Sequence, residues 1–271
     1  MGPRTGLAIL VFALALGPAR AQHPPDPEQT ALIEQTRRAA IAYSGTLPDF
    51  ICTQVVQRSE DLNGNNRWRP LDVLTIKLSY SGHKEDYKLV AVNGRQTVLD
   101  YENAGGAIST GEFGSRLLSM FAPQTRTEFQ WKGWAHVSKH KVAVFTYHVD
   151  EEHSRYMVVL GPVKIGPNAH MAAYHGEISI DPETHAVMRL TLTAELPKHF
   201  PITENNSWTE YDYREVGGQE YLVPVRSHTS LAAGRYRAAN EIEFRDYRKF
   251  QTDASISFST EEAPKESPVK K

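Results

Sequence analysis

The chain has 271 residues, of which 30 are Lys or Arg and 32 are Asp or Glu, for a formal charge of -2. The two signs are interspersed, which gives no electrostatic footprint for nucleic acid or an anionic membrane in the sequence as a whole. Cys52 is the only cysteine, so an intramolecular disulfide is excluded and stability has to come from an apolar core.

Arg4, the apolar run 7–16, the breakers Gly17 and Pro18 and the triplet Ala19-Arg20-Ala21 make the three parts of a secretory signal peptide. The apolar run is about half of the roughly twenty residues that a spanning helix requires. Cleavage is expected before Gln22, and no cysteine stands there to take a lipid. The expected product is therefore periplasmic or secreted, with no integral membrane segment after cleavage. The expected organisation is a signal peptide at 1–21, one domain at 22–260 and a disordered tail at 261–271, which is charged and lacks large apolar residues.

Asp26-Pro27-Glu28-Gln29 reads as a helix start, with Asp26 as cap, Pro27 at the first helical position and Gln29 able to close a capping box. Leu32, Thr36, Ala39 and Tyr43 recur at helical spacing, Ile33 and Ala40 widen the stripe, and Gly45 sits where a C-terminal cap belongs. From Phe50 the period becomes two. The run 49–56 reads as a strand in which Cys52 is a small buried hydrophobe, and in 74–80 apolar and polar residues fall on opposite sides.

Asn93-Gly94 marks a two-residue hairpin turn between 87–92 and 96–101, because both central positions need positive φ. Further hairpins are expected between 142–149 and 156–160, 174–180 and 186–196, 208–216 and 221–231, and into 236–248 through Ala233-Gly234. Two segments interrupt this antiparallel meander. Residues 103–114 are glycine-rich and feed a short helix on which Phe113, Leu117, Met120 and Phe121 share a face before Pro123, and residues 161–170 read as a loop.

No constellation names a reaction. The histidine pairs 136/140, 148/153 and 170/175 lack the HExxH or CxxC spacing of a metal site, and Gly111-Glu112-Phe113-Gly114-Ser115 is not the GxSxG of a serine nucleophile. Glu177, Glu195, Glu210 and Asp212 are carboxylates that a glycosidase could draw on, but strand carboxylates are mostly a solvated face. No catalytic residue, metal ligand or cofactor is therefore expected. The tyrosines and tryptophans in the strands read as cross-strand packing, with a carbohydrate platform as the rival.

Gly176-Glu177-Ile178-Ser179-Ile180-Asp181-Pro182-Glu183-Thr184 with Arg189-Leu190, then Tyr221-Leu222-Val223-Pro224 and Phe244-Arg245-Asp246-Tyr247-Arg248, resemble the hairpin and closing strands of the periplasmic lipoprotein-carrier (outer-membrane lipoprotein-sorting) superfamily. The segments 47–52, 111–114 and 244–250 resemble a family of secreted bacterial proteins without an assigned activity. The carrier resemblance implies acyl chains held in the hollow of a half-open barrel under short helices.

The expected fold is α+β, an open antiparallel half-barrel whose concave side receives the 26–43 helix, with a β-sandwich as the alternative. A curved sheet of about ten strands has to close, stack or wrap around helices. The leading functional expectation is a non-catalytic carrier or sensor of an amphipathic ligand, its partner a lipid, an acyl chain or a lipidated protein. A structural or interaction module of the periplasm is the second expectation, and a secreted hydrolase the third. Phe113, Leu117, Met120 and Phe121 are the candidate ligand-binding face, a lid over an apolar pocket, with an ordinary core helix as the rival reading.

Overall fold

The computed structural model describes residues 26–82, 84–105, 113–159 and 169–250. The signal peptide, residues 106–112 of the glycine-rich segment, residues 161–168 of the expected loop and the 261–271 tail lie outside the described residues. Helix α1 spans Pro27–Thr46 and α2 spans Ser115–Phe121. The strands are β1 Phe50–Asp61, β2 Arg69–Ser81, β3 Lys84–Val92, β4 Arg95–Gln96, β5 Glu128–Val137, β6 His140–Val149, β7 Met157–Val159, β8 Ala169–Met171, β9 Ala173–Ile180, β10 Val187–Glu195, β11 Glu204–Val216, β12 Gln219–Ala233 and β13 Tyr236–Lys249.

Eleven strands form one sheet in the order β4-β3-β2-β1-β13-β12-β11-β10-β9-β6-β5, and β7 and β8 pair separately as a ribbon. Every neighbouring pair is antiparallel. The last strand, β13, returns to pair with β1, so β4 and β5 end up at opposite edges. The sheet is not closed, and α1 with α2 lies against its inner face: the open half-barrel of an α+β fold.

Period-two alternation sets the inner face. Leu74, Ile76, Leu78 and Tyr80 of β2 are buried, as are Phe145, Tyr147 and Val149 of β6 and Ile242 and Phe244 of β13. These form two clusters. The first joins Ile33 and Ala40 of α1 and Leu117, Met120 and Phe121 of α2 to the β6, β9, β10 and β11 side. The second gathers Phe50, Cys52, Val56 and the β2 residues with Phe113 and Phe244. Cys52 is buried there as read, and burial pushes its thiol up to about 12, far from a reactive thiolate.

Asp26 caps α1 by accepting from the Glu28 N–H at 2.9 Å. The helix runs through Gly45 to Thr46 and stops at Leu47 in an extended conformation, so Gly45 is a helical residue and not the cap. Its buried stripe is Ile33, Thr36 and Ala40, one step round from the expected centre. Asn93 and Gly94 both take positive φ, as the turn requires, but β4 is only two residues long and pairs with Ala91 and Val92. The expected 142–149/156–160 hairpin does not form: β6 pairs with β5 and β9, and β7 turns aside to β8. The 174–180/186–196, 208–216/221–231 and 233–236 connections hold.

Gly176 in β9 sits under the β10 backbone, where an added Cβ would lie 2.0 Å from the Thr191 carbonyl oxygen. Gly45 has nothing within 4 Å of that position. Gly176→Ala is therefore expected to lower stability by about 3 kcal/mol or more through forced backbone displacement. Gly45→Ala is expected to raise it by roughly 0.5–1 kcal/mol, because a helical glycine forfeits more backbone entropy than alanine. Denaturant midpoints of the two variants against the parent check both signs.

Candidate functional site

A cleft of about 380 Å³ opens between the C-terminal half of α1 and the sheet. Ala39, Ala40, Ala42 and Tyr43 line its helical wall, Leu117 of α2 its floor, and Val187 with Tyr221 and Leu222 the sheet side. Its origin lies in side-chain volume: α1 presents three alanines where larger residues would have closed the contact. Tyr43 latches the helix to β12 by donating its hydroxyl to the Leu222 carbonyl at 2.9 Å, and burial raises that hydroxyl well above its ordinary value. Arg37, midway along α1, fastens it to α2 by donating to the Phe121 carbonyl at 2.9 Å.

All four residues of the expected lid face are buried. Leu117, Met120 and Phe121 lie on one face of α2 and enter the first cluster, where Phe121 stacks on Phe129 at 5.6 Å. Phe113 precedes the helix. Gly114 takes φ 124° between them and turns Phe113 into the second cluster, against Phe50 at 5.2 Å and Phe244 at 5.4 Å. Of the four, Leu117 alone borders the cleft.

The opposite face of the sheet carries a wider groove of about 770 Å³, lined by charged side chains of β11, β12 and β13. One cross-strand row there alternates in sign, with Glu243, Arg226, Glu210 and Arg189 in register. Glu210 meets Arg226 at 2.6 Å and Arg189 at 2.7 Å, and the Arg189 guanidinium lies 4.8 Å over the Trp208 ring. Asp212 meets Arg214 at 2.7 Å. Partial burial opposes ionisation of Asp212, but the Arg214 and Tyr213 hydrogen bonds outweigh it and hold the carboxyl below its usual range.

The other two glycosidase candidates are committed too, Glu177 to Lys132 and Glu195 to two histidines. His148 and His175 are cross-strand partners and share Glu195 at 3.2 and 2.9 Å, so the sheet regroups histidines that the chain pairs differently. Among the described residues, no three His, Cys, Asp or Glu side chains are arranged to hold a metal ion.

Gln54 escaped the sequence reading. It is wholly buried between Ile76 and Phe244 in register, and neither of its amide atoms has a hydrogen-bond partner. The signal lay in the pattern, since Phe50, Cys52, Gln54 and Val56 occupy alternate inward positions and only Gln54 is polar.

No family model matches the sequence, and no curated protein does. Among solved structures, the fold is similar to a LolA superfamily protein from Nitrosomonas europaea, at 7% identity and TM-score 0.39 over 82% of this chain and 93% of that one. It is likewise similar to a DUF1329 family protein from Desulfovibrio piger, at 9% identity and TM-score 0.37 over 86% and 96%. A third similar structure is an outer membrane lipoprotein-sorting protein domain from Vibrio parahaemolyticus, at 13% identity and TM-score 0.40 over 84% and 95%. At such identities and scores the likeness concerns the course of the chain and says nothing of ligand or activity.

Gln54→Met keeps the volume and removes two unpaired buried polar atoms. An increase in stability of roughly 1–3 kcal/mol is expected in urea unfolding, the size of the desolvation penalty relieved. A loss of stability would instead mean that the amide is satisfied in solution.

Proposed function

We propose that the protein is an exported, non-catalytic carrier or sensor that receives the apolar part of an amphipathic ligand, a lipid, an acyl chain or a lipidated partner, in the cleft beside α1. The cleft carries this reading. Its volume of about 380 Å³ falls in the range of small-molecule pockets, and its lining is mostly alanine, leucine, valine and tyrosine, with Thr46, Thr184, His185 and Glu220 as its polar members. The leader at 1–21 supports export to the periplasm or medium. The carboxylates weighed for hydrolysis are each engaged by a cation or histidine, which suits a charged surface better than acid–base chemistry.

In this reading α2 supplies the floor through Leu117, and Met120, Phe121 and Phe113 hold that floor to the two clusters, so that ligand entry requires α1 to yield at its alanine face. The Tyr43 bond to Leu222 is the contact that such a movement would break.

Ala42 is exposed and lines the cleft, so a large side chain there fills the cleft without disturbing the core. The parent protein is expected to enhance the fluorescence of a fatty-acid probe saturably. Ala42→Trp is expected to weaken that binding at least tenfold while leaving the melting temperature nearly unchanged, as surface substitutions do. A parent that takes up no acyl probe or lipid sinks the carrier reading. It would favour an interaction module that uses the ten-residue open edge of β5.

A further inference from the structure

Six of the ten large apolar side chains exposed among the described residues, Leu62, Trp68, Leu71, Val73, Val98 and Leu99, come from the single stretch 62–99. Scattered exposed hydrophobes need no explanation, whereas a cluster does. Leu62 and Trp68 sit on the β1–β2 connection, and Leu71 and Val73 follow at the start of β2. The β3–β4 turn joins them there: the Asn93 side-chain oxygen accepts from the Val73 N–H at 2.9 Å, and the Asn93 backbone N–H donates to the Val73 carbonyl at 2.8 Å.

The β12–β13 turn packs against the same tip. A Cβ at Gly64 would lie 3.0 Å from the Arg235 carbonyl oxygen, and Arg237 donates to the Asn66 side chain at 3.1 Å. Three hairpins thus bring Arg67, Arg95, Arg235 and Arg237 to one end of the half-barrel, although they are far apart in sequence.

Three acids at the tip are already committed. Asp72 is bound by Arg58 at 2.6 Å and Glu60 by Arg69 at 2.8 Å. Asp61 accepts from the backbone N–H groups of Asn63, Gly64 and Asn66 at 2.7–3.1 Å. Burial works against its charge, yet these bonds and the Arg237 charge hold its carboxyl below the usual range. Arg67, Arg95 and Arg235 are exposed and have no carboxylate partner among the described residues. A protein with a net charge of -2 therefore carries a locally positive, apolar tip.

We propose that this tip docks on the surface of an anionic phospholipid bilayer. Leu62, Trp68 and Leu71 enter the interfacial layer, where the tryptophan ring can place its apolar body in lipid and its N–H in water, and the unpaired arginines meet headgroup phosphates. The backbone bonds to Asp61 hold the loop in shape beforehand, which lowers the ordering entropy lost on docking. The tip lies at the opposite end of the strands from the cleft, which sits by the β9–β10 and β11–β12 turns. Docking and ligand uptake can consequently succeed or fail independently.

The test is sedimentation with vesicles, using the chain that begins at Gln22, which keeps every described residue and removes the apolar leader. Binding is expected to phosphatidylglycerol-containing vesicles and not to phosphatidylcholine alone, and to weaken with added salt. Arg67→Ala and Arg235→Ala are each expected to weaken it about fivefold, near thirtyfold together. Trp68→Ser with Leu62→Ser is expected to weaken it tenfold or more with unchanged melting temperature, since both side chains are exposed. No binding to anionic vesicles, equal binding to neutral ones, or arginine variants that bind like the parent would each overturn the proposal. So would a dimer that Trp68→Ser dissociates in the absence of vesicle binding, because the patch would then belong to a second copy of the chain.

Discussion

Everything in this structure depends on the route of the chain between β4 and β5. These strands are the two edges of an eleven-stranded sheet, and a flat sheet with strands about 4.8 Å apart would separate them by roughly 48 Å. The connecting segment instead brings α2 onto the inner face, with Phe113 in one apolar cluster and Leu117, Met120 and Phe121 in the other. A curled sheet satisfies that crossing and buries the inward side chains of its strands at the same time. Helix α1 then covers what α2, only seven residues long, leaves open.

The cover is imperfect in a particular way. The α1 stripe is mostly small, so the helix is positioned by two polar latches, Tyr43 to Leu222 and Arg37 to Phe121, more than by interlocking bulk. Packing that falls short of native density leaves a space whose lining loses dispersion contacts, and an apolar ligand recovers them. The outer face is organised by different physics: its alternating charges neutralise one another across strands, and partly exposed pairs of this kind fix side-chain positions more than they add stability.

Much of the fold was legible because it rests on period. The alternation in 74–80 showed which side chains face inward, and Asn93-Gly94 and Ala233-Gly234 gave two of the turns. What could not be read was long-range pairing. Nothing local distinguishes a β6 that pairs with β7 from one that pairs with β9, and the return of β13 to β1 depends on the global curl. The cleft was hidden for the same reason: its walls come from residues near 40, 117, 187 and 221, which no window of sequence brings together. The short apolar helix was found by its spacing, but Gly114 divides its expected face, a backbone effect that hydrophobic pattern alone does not report. Overall charge balance likewise concealed an arginine-rich tip assembled from three hairpins.

The central claim is that α1 is part of the half-barrel's core and not an appendage, and native-state amide exchange tests it most directly. Amides in the middle of α1, around Ile33 to Ala40, are expected to exchange only through global unfolding, with the same opening free energy and denaturant dependence as those of β1 and β13. Exchange of α1 at a much lower opening free energy, while the strands stay protected, would contradict the account.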